Sequence, residues 1–233
     1  MKKTLVAFML FAAMFAAVPA MAADEKPNPM KQVEEDPSLP RVLIIGDSIS
    51  IGYMLDTRKQ LEGVANVQRP ATNCGPTSRG LEGIDEWLGN KPWDVIHFNF
   101  GLHDLKYCDD KGTLVEVGKG HQQIPIEQYE KNLDTLVKRM KKTGATLIFA
   151  TITPVPEGAA GRVPADAPRY NEAALKVMKE NKVEVNDLYG FCLPQLDKLQ
   201  LPANVHFKPE GSAKLAKVVG DKIKKALEER KKQ

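Results

Sequence analysis

The chain has 233 residues, room for one domain and a targeting segment. Apolar residues make up 42% and charged residues 27%, ordinary globular usage that excludes a large disordered region. The formal charge is +3 and falls to +1 without Lys2 and Lys3, so the chain has no electrostatic reason to seek nucleic acid.

The first 22 residues read as a secretory signal peptide. Lys2 and Lys3 form a basic start, and Leu5 to Val18 is an apolar run. Ala20-Met21-Ala22 puts small residues where a signal peptidase reads, so cleavage is expected after Ala22. The run falls short of the about 20 residues a spanning helix needs. No second long apolar stretch follows. The mature protein is therefore expected to lack a membrane span and to be exported, to the periplasm or beyond. Residues 23–40 are polar and carry Pro27, Pro29, Pro37 and Pro40, which reads as a flexible leader. A single domain is expected over 41–233.

Arg41 to Ile45 is a continuous apolar run ending in Gly46, as a buried parallel strand should be. A helix is expected from Ser48 to about Leu61, then a weaker strand over Val64 to Gln68. Thr77 to Leu88 reads as a helix, and Trp93 to Phe100 as the clearest strand. Asp104 to Gln123 is polar and glycine-containing, an excursion over the surface. Pro125 opens a helix. In it Tyr129, Leu133, Leu136, Val137 and Met140 recur at helical spacing. Thr146 to Ile152 is a strand, Ala167 to Asn181 a helix and Val183 to Leu188 a strand. Leu215, Val218, Val219, Ile223 and Leu227 mark a closing amphipathic helix.

Alternating strands and helices argue for a parallel α/β sheet covered on both faces. Ligands bind outside the carboxyl ends of such strands. Three segments lie there: Gly46-Asp47-Ser48, Gly101-Leu102-His103-Asp104 and Thr151-Ile152-Thr153-Pro154. Ser48 sits where a strand passes into a helix. A serine there can attack a carbonyl while its own N–H holds the oxyanion. The plainer alternative is that Asp47 or Ser48 only caps the helix. Ser50, inside the first turn, ranks below Ser48 as a nucleophile.

A nucleophilic serine needs a base. Of the four histidines, His206 lies in a loop just before the last helix and can reach a strand end. His103 follows a strand end and is expected to share the crevice with Ser48. His97, inside a buried strand, reads as a satisfied core residue. His121, in the polar excursion, reads as solvated. Cys74, Cys108 and Cys192 cannot all pair with one another, and their spacing matches no zinc pattern.

From Arg41 to the last helix the chain resembles the SGNH (GDSL-type) hydrolases. Gly46-Asp47-Ser48-Ile49-Ser50 matches the first block and places Ser48 as nucleophile. Gly75, in Asn73-Cys74-Gly75-Pro76-Thr77, matches the glycine whose N–H serves the oxyanion hole. His206 matches the catalytic histidine of the last block. The resemblance implies a single three-layer α/β/α domain around a parallel five-stranded, flavodoxin-like sheet. It also implies no cofactor and no metal.

Two departures stand out. The Gly-x-Asn-Asp block reads Gly101-Leu102-His103-Asp104, so His103 replaces an oxyanion donor; an imidazole N–H can fill that role. The Asp-x-x-His block reads Ala203-Asn204-Val205-His206, so the acid that orients the histidine is missing. Three explanations compete. A backbone carbonyl holds the imidazole, giving a Ser48–His206 dyad. A carboxylate from Asp104, Asp187 or Glu210 substitutes. Or the site is degenerate and binds without turnover. The dyad is the favoured expectation, with Asp47 and Asp104 as supporting groups.

The expected reaction is double displacement through an acyl-Ser48 intermediate, with the oxyanion held by the N–H groups of Ser48 and Gly75 and by His103. The rim at Thr153 to Gly158 is not strongly apolar, which favours short acyl groups such as acetyl on a carbohydrate. Arg162 and Arg169 are candidate contacts for an acidic sugar. The alternatives are a lipase or lysophospholipase-type acylhydrolase and a carbohydrate-binding protein on the same scaffold. A metal-dependent phosphoesterase using Asp47, His103, Asp104 and His206 is a weaker third.

Overall fold

A computed structural model describes residues 27–232. The expected signal peptide lies outside the described residues. In chain order the elements are β1 (Arg41–Ile45), α1 (Ser48–Gln60), β2 (Asn66–Gln68), α2 (Thr77–Leu88), β3 (Val95–Phe98), β4 (Tyr107–Cys108), β5 (His121–Gln122), α3 (Ile126–Lys141), β6 (Thr146–Ala150), α4 (Asp166–Asn181), β7 (Glu184–Asn186), α5 (Leu188–Cys192), α6 (Leu196–Leu199) and α7 (Pro209–Arg230).

Five strands form one parallel sheet in the order β2-β1-β3-β6-β7. Its register pairs Val42 with Val95, and Val95 in turn with Thr146. Helices α1 and α7 pack together on one face, and α2, α3 and α4 on the other. A strand covered on both faces must be apolar at every position. Val42, Ile44, Ile45, Val95, Ile96 and Phe98 accordingly have no exposed area. Each such side chain contributes roughly 1.5–3 kcal/mol by leaving water. On α3, Tyr129, Leu133, Leu136, Val137 and Met140 are buried, as their spacing requires.

The strands are shorter than their apolar runs. Trp93 and Phe100 are buried, but outside the ladder. Burial extends beyond the hydrogen-bonded part of a strand, so an apolar run overstates its length. The segment before α7 adds α5 and α6, short helices without a long periodic pattern. The excursion folds on itself as the antiparallel pair β4–β5. Its first residue, Asp104, is buried rather than superficial.

The stretch read as a flexible leader is pinned to the sheet edge from Val33 to Asp36. Asn66 donates to the Asp36 carbonyl at 2.8 Å and accepts from the Asp36 N–H at 2.9 Å. Gln68 likewise donates to the Val33 carbonyl at 2.7 Å and accepts from its N–H at 3.2 Å. Side-chain amides on β2 thus do what a further strand's backbone would do for an open edge. The three cysteines are buried and unpaired.

Candidate active site

The turn from β1 into α1 is tight. A Cβ on Gly46 would stand 3.0 Å from the Ser50 side chain. Asp47 caps the helix, its Oδ1 accepting from the Ile49 N–H at 2.9 Å. That leaves the Ser48 hydroxyl free of the capping role. As the first residue of α1, Ser48 also keeps its N–H outside the helical ladder. Ser50 is committed elsewhere: its hydroxyl donates to the Asp47 carbonyl at 2.7 Å and accepts from Arg69 at 3.1 Å.

His206 meets Ser48 across 158 positions of sequence, Nε2 lying 2.8 Å from Oγ. Its loop is exposed but anchored from beneath. Buried Gln200 donates to the Pro154 carbonyl at 2.8 Å and to the Val205 carbonyl at 3.3 Å. The Leu201 N–H bonds the His206 carbonyl at 3.0 Å. These contacts tie the histidine to the carboxyl end of β6.

The imidazole is oriented by a side chain, not by the backbone carbonyl that was expected. Asn204 Oδ1 lies 2.8 Å from His206 Nδ1 and accepts from the His206 backbone N–H at 3.0 Å. The three candidate carboxylates are placed otherwise. Asp104 Oδ1 accepts from the Thr77 N–H at 2.8 Å and from its hydroxyl. Asp187 bonds Thr151 at 3.0 Å and the Gly190 N–H at 2.9 Å. Glu210 sits in the first turn of α7. Ala203 stands where the acid is expected, and the orienting group is its neighbour Asn204. Its signal was an amide two residues before the histidine, in a loop short enough to fold back.

The remaining carboxyl-end loops are laced to the Ser48 turn. The Cys74 N–H bonds the Gly46 carbonyl at 3.3 Å. Gly75 follows with φ +64°, a conformation that strains any residue with a Cβ. Its N–H donates to Asn73 Oδ1 at 3.0 Å. Arg69, only 1% exposed, underpins this region. Its guanidinium donates to the Gly46, Pro70 and Thr72 carbonyls at 3.3, 3.2 and 3.2 Å. Sequence reading missed it, because a lone arginine after a weak strand carries no pattern.

His103 is half-buried, and burial lowers its pKa. Asp47 opposes that shift, while Lys106, Arg162 and Arg79 add to it. The imidazole is thereby favoured in its neutral form, which retains one N–H donor. Asp104 beside it is fully buried, and burial pushes its carboxyl up to about 7 against the bonds from Thr77. Its Oδ2 has no partner. Asn132 on α3 donates to the Thr77 hydroxyl at 3.0 Å, extending the network.

The other histidines lie apart. His97 is buried, its pKa pushed down to about 3 by desolvation, with Nε2 3.2 Å from Asn186 Nδ2. His121 is exposed, 3.4 Å from Asp110. Arg169 pairs with Asp166 at 3.1 Å, whereas Arg162 donates to the Leu102 carbonyl beside His103 at 3.1 Å. Among the described residues, no three His, Cys, Asp or Glu side chains gather as metal ligands. Asp47, His103, Asp104 and His206 therefore do not form the set a phosphoesterase would need. No helix among the described residues is long and apolar enough to cross a membrane.

Comparison with known proteins agrees with this architecture. A GDSL esterase/lipase of Arabidopsis thaliana is 27% identical over 128 residues, 46% of this chain and 51% of its own. The chain thus aligns with about half the length of that relative. The fold is that of a lipase/acylhydrolase from Enterococcus faecalis, with TM-score 0.65, 18% identity, and 79% and 95% of the two chains covered. The acetyl xylan esterase AlAXEase superposes with TM-score 0.64 at 15% identity, covering 78% of this chain and 99% of that one. The acetylxylan esterase Axe2 of Geobacillus stearothermophilus gives 0.61 at 16%, covering 77% and 92%. The profile of the GDSL-like lipase/acylhydrolase family matches residues 44–214, from β1 into α7, and the chain belongs to that family.

Proposed function

We propose that this protein is an exported serine esterase that removes short acyl groups, acetyl above all, from carbohydrate esters. The observation that carries the reading is the relay Ser48–His206–Asn204, two consecutive contacts of 2.8 Å. His206 takes the Ser48 proton as Oγ attacks the ester carbonyl. The Ser48 and Gly75 N–H groups and the His103 side chain hold the oxyanion. For Gly75 this requires its N–H to turn from Asn73 Oδ1 or to share itself. His206 then protonates the departing alcohol. A water molecule, deprotonated by His206, adds to the acyl-enzyme; its collapse releases the acid and restores Ser48.

A groove of about 420 Å³ beside Ala203 leaves room for the alcohol part of the ester, with Glu157 and Asp197 on a lining that also includes Leu196 and Leu201. Pro156 and Pro202 line it as well. The mature protein should hydrolyse 4-nitrophenyl acetate and label with a fluorophosphonate at Ser48. Ser48→Ala should abolish both, and His206→Ala should lower turnover at least about 10³-fold. Unchanged rates in both variants would sink the mechanism. Labelling without turnover would favour a degenerate site.

A further inference from the structure

Helix α2 has no cap of its own. Pro76 stands at its N-cap position and makes no side-chain capping bond. The cap comes from a different loop, 27 positions along the chain. Asp104 Oδ1 accepts from the Thr77 N–H at 2.8 Å and also from the Thr77 hydroxyl. A side-chain oxygen there satisfies a first-turn N–H that the helix leaves without a partner. Asp104 is fully buried and its Oδ2 has no partner, so Thr77 is the residue that its side chain serves.

This contact joins the two loops that carry the proposed oxyanion donors. Gly75 lies two residues before Thr77, across Pro76, whose ring fixes φ and stiffens the link. His103 immediately precedes Asp104. The His103 loop is anchored on its own side. The Leu105 N–H bonds the Gly101 carbonyl at 2.9 Å, and the Ile124 N–H bonds the Asp104 carbonyl at 2.9 Å. The Tyr129 hydroxyl donates to the Phe100 carbonyl at 3.0 Å, just before the loop. Thr77 is held from behind by Asn132 of α3 at 3.0 Å. Among the described residues, no hydrogen bond other than those from Thr77 to Asp104 runs between 73–77 and 101–105.

We infer that Asp104 is a positioning residue for the oxyanion hole: it locks the Gly75 loop and the His103 loop at one separation, so that donors from two loops converge on one oxygen. Such a hole works through donors fixed before charge develops, so a change of spacing lowers rate more than ground-state affinity. The inference rests on the esterase reading above, which supplies the roles of Gly75 and His103.

The test uses the mature protein and 4-nitrophenyl acetate. Asp104→Ala should lower kcat about 100-fold and leave KM within about two-fold. Asp104→Asn keeps the acceptor and should stay within about five-fold of the natural kcat. Thr77→Val spares the N–H bond; it should lose about ten-fold, and it carries the test if the alanine variant does not fold. The Asp104→Ala loss should shrink in a His103→Ala background and persist in an Asn204→Ala background. Amide exchange read by mass spectrometry should rise over 73–79 and 101–105 in Asp104→Ala, and stay unchanged over 46–52. Unchanged exchange in either loop, natural kcat with loosened loops, or equal losses in the alanine and asparagine variants would overturn the positioning role and leave the esterase intact. Loosened loops in a protein that turns over no ester even in its natural form would uphold the tie between the loops and overturn the esterase reading.

Discussion

Asn204 fixes the tautomer of His206 through two bonds to one oxygen. The His206 backbone N–H can only donate, so the atom 3.0 Å from it must be the amide oxygen, not the amide nitrogen. The same oxygen lies 2.8 Å from Nδ1, which must then carry the ring proton. Nε2 is left with its lone pair toward Ser48 Oγ at 2.8 Å. An amide in a triad would ordinarily be free to flip and stabilise the wrong tautomer; here the backbone prevents it. What Asn204 lacks relative to a carboxylate is charge to stabilise the imidazolium.

Asn204→Ala should therefore lower kcat by about 10- to 100-fold with little change in KM, because orientation is lost and substrate contacts are not. Asn204→Asp should move the acid limb of the kcat/KM profile to higher pH. A carboxylate beside the ring favours the imidazolium, so the free base is lost at higher pH. An acid limb that stays in place in the aspartate variant would show that Asn204 does not act on the catalytic base.

Asp104 should make stability fall as pH rises. Its ordinary value is 3.8 and burial carries it to about 7 in the folded chain. Between those values the native state holds a proton that the unfolded state has released, so raising pH favours unfolding. Asp104→Asn keeps an acceptor for Thr77 and removes the titration. Urea midpoints at pH 5 and pH 8 should drop more for the natural protein than for the variant. Parallel drops in both would exclude this role.

Gly101 should tolerate no side chain. Its φ is +143°, and a Cβ would fall on Ile152 Cδ1. Gly101→Ala should cost about 2–4 kcal/mol in urea denaturation. It should also lower esterase activity more than Gly89→Ala, where nothing lies within 4 Å of the added carbon. Equal losses in the two variants would leave backbone strain alone as the cause.

Arg69 should be needed for both folding and activity. Arg69→Met would leave the Pro70 and Thr72 carbonyls without the guanidinium and the Gly46 carbonyl with the Cys74 N–H alone of the two donors described. The expected loss is about 3 kcal/mol, with a further fall in kcat as the Gly46 turn and the Thr72 loop separate. Arg69→Lys should recover only part of it, because an ammonium cannot reproduce the planar fork. Full activity in Arg69→Met would remove Arg69 from the site's support.

Local sequence carried the scaffold because its causes are local. The apolar run Val42 to Ile45 must be buried on both faces, and the spacing of Tyr129 to Met140 makes one helical face apolar. Ser48 was legible for the same reason: Gly46-Asp47-Ser48 is a strand end, a cap and a first helical residue in succession. Cooperation between distant residues was not legible. Asn204 orients His206 only because Gln200 and Val205 fold their loop against Pro154. Arg69 supports the Ser48 turn from the end of another strand, and Asp104 leaves the expected surface excursion to bind Thr77. Hydrophobic period and helix caps depend on neighbours a few residues apart, so one stretch of chain suffices to read them. Hydrogen bonds across loops depend on where the chain returns, and only packing of the whole sheet brings Ser48 and His206 to one end of it.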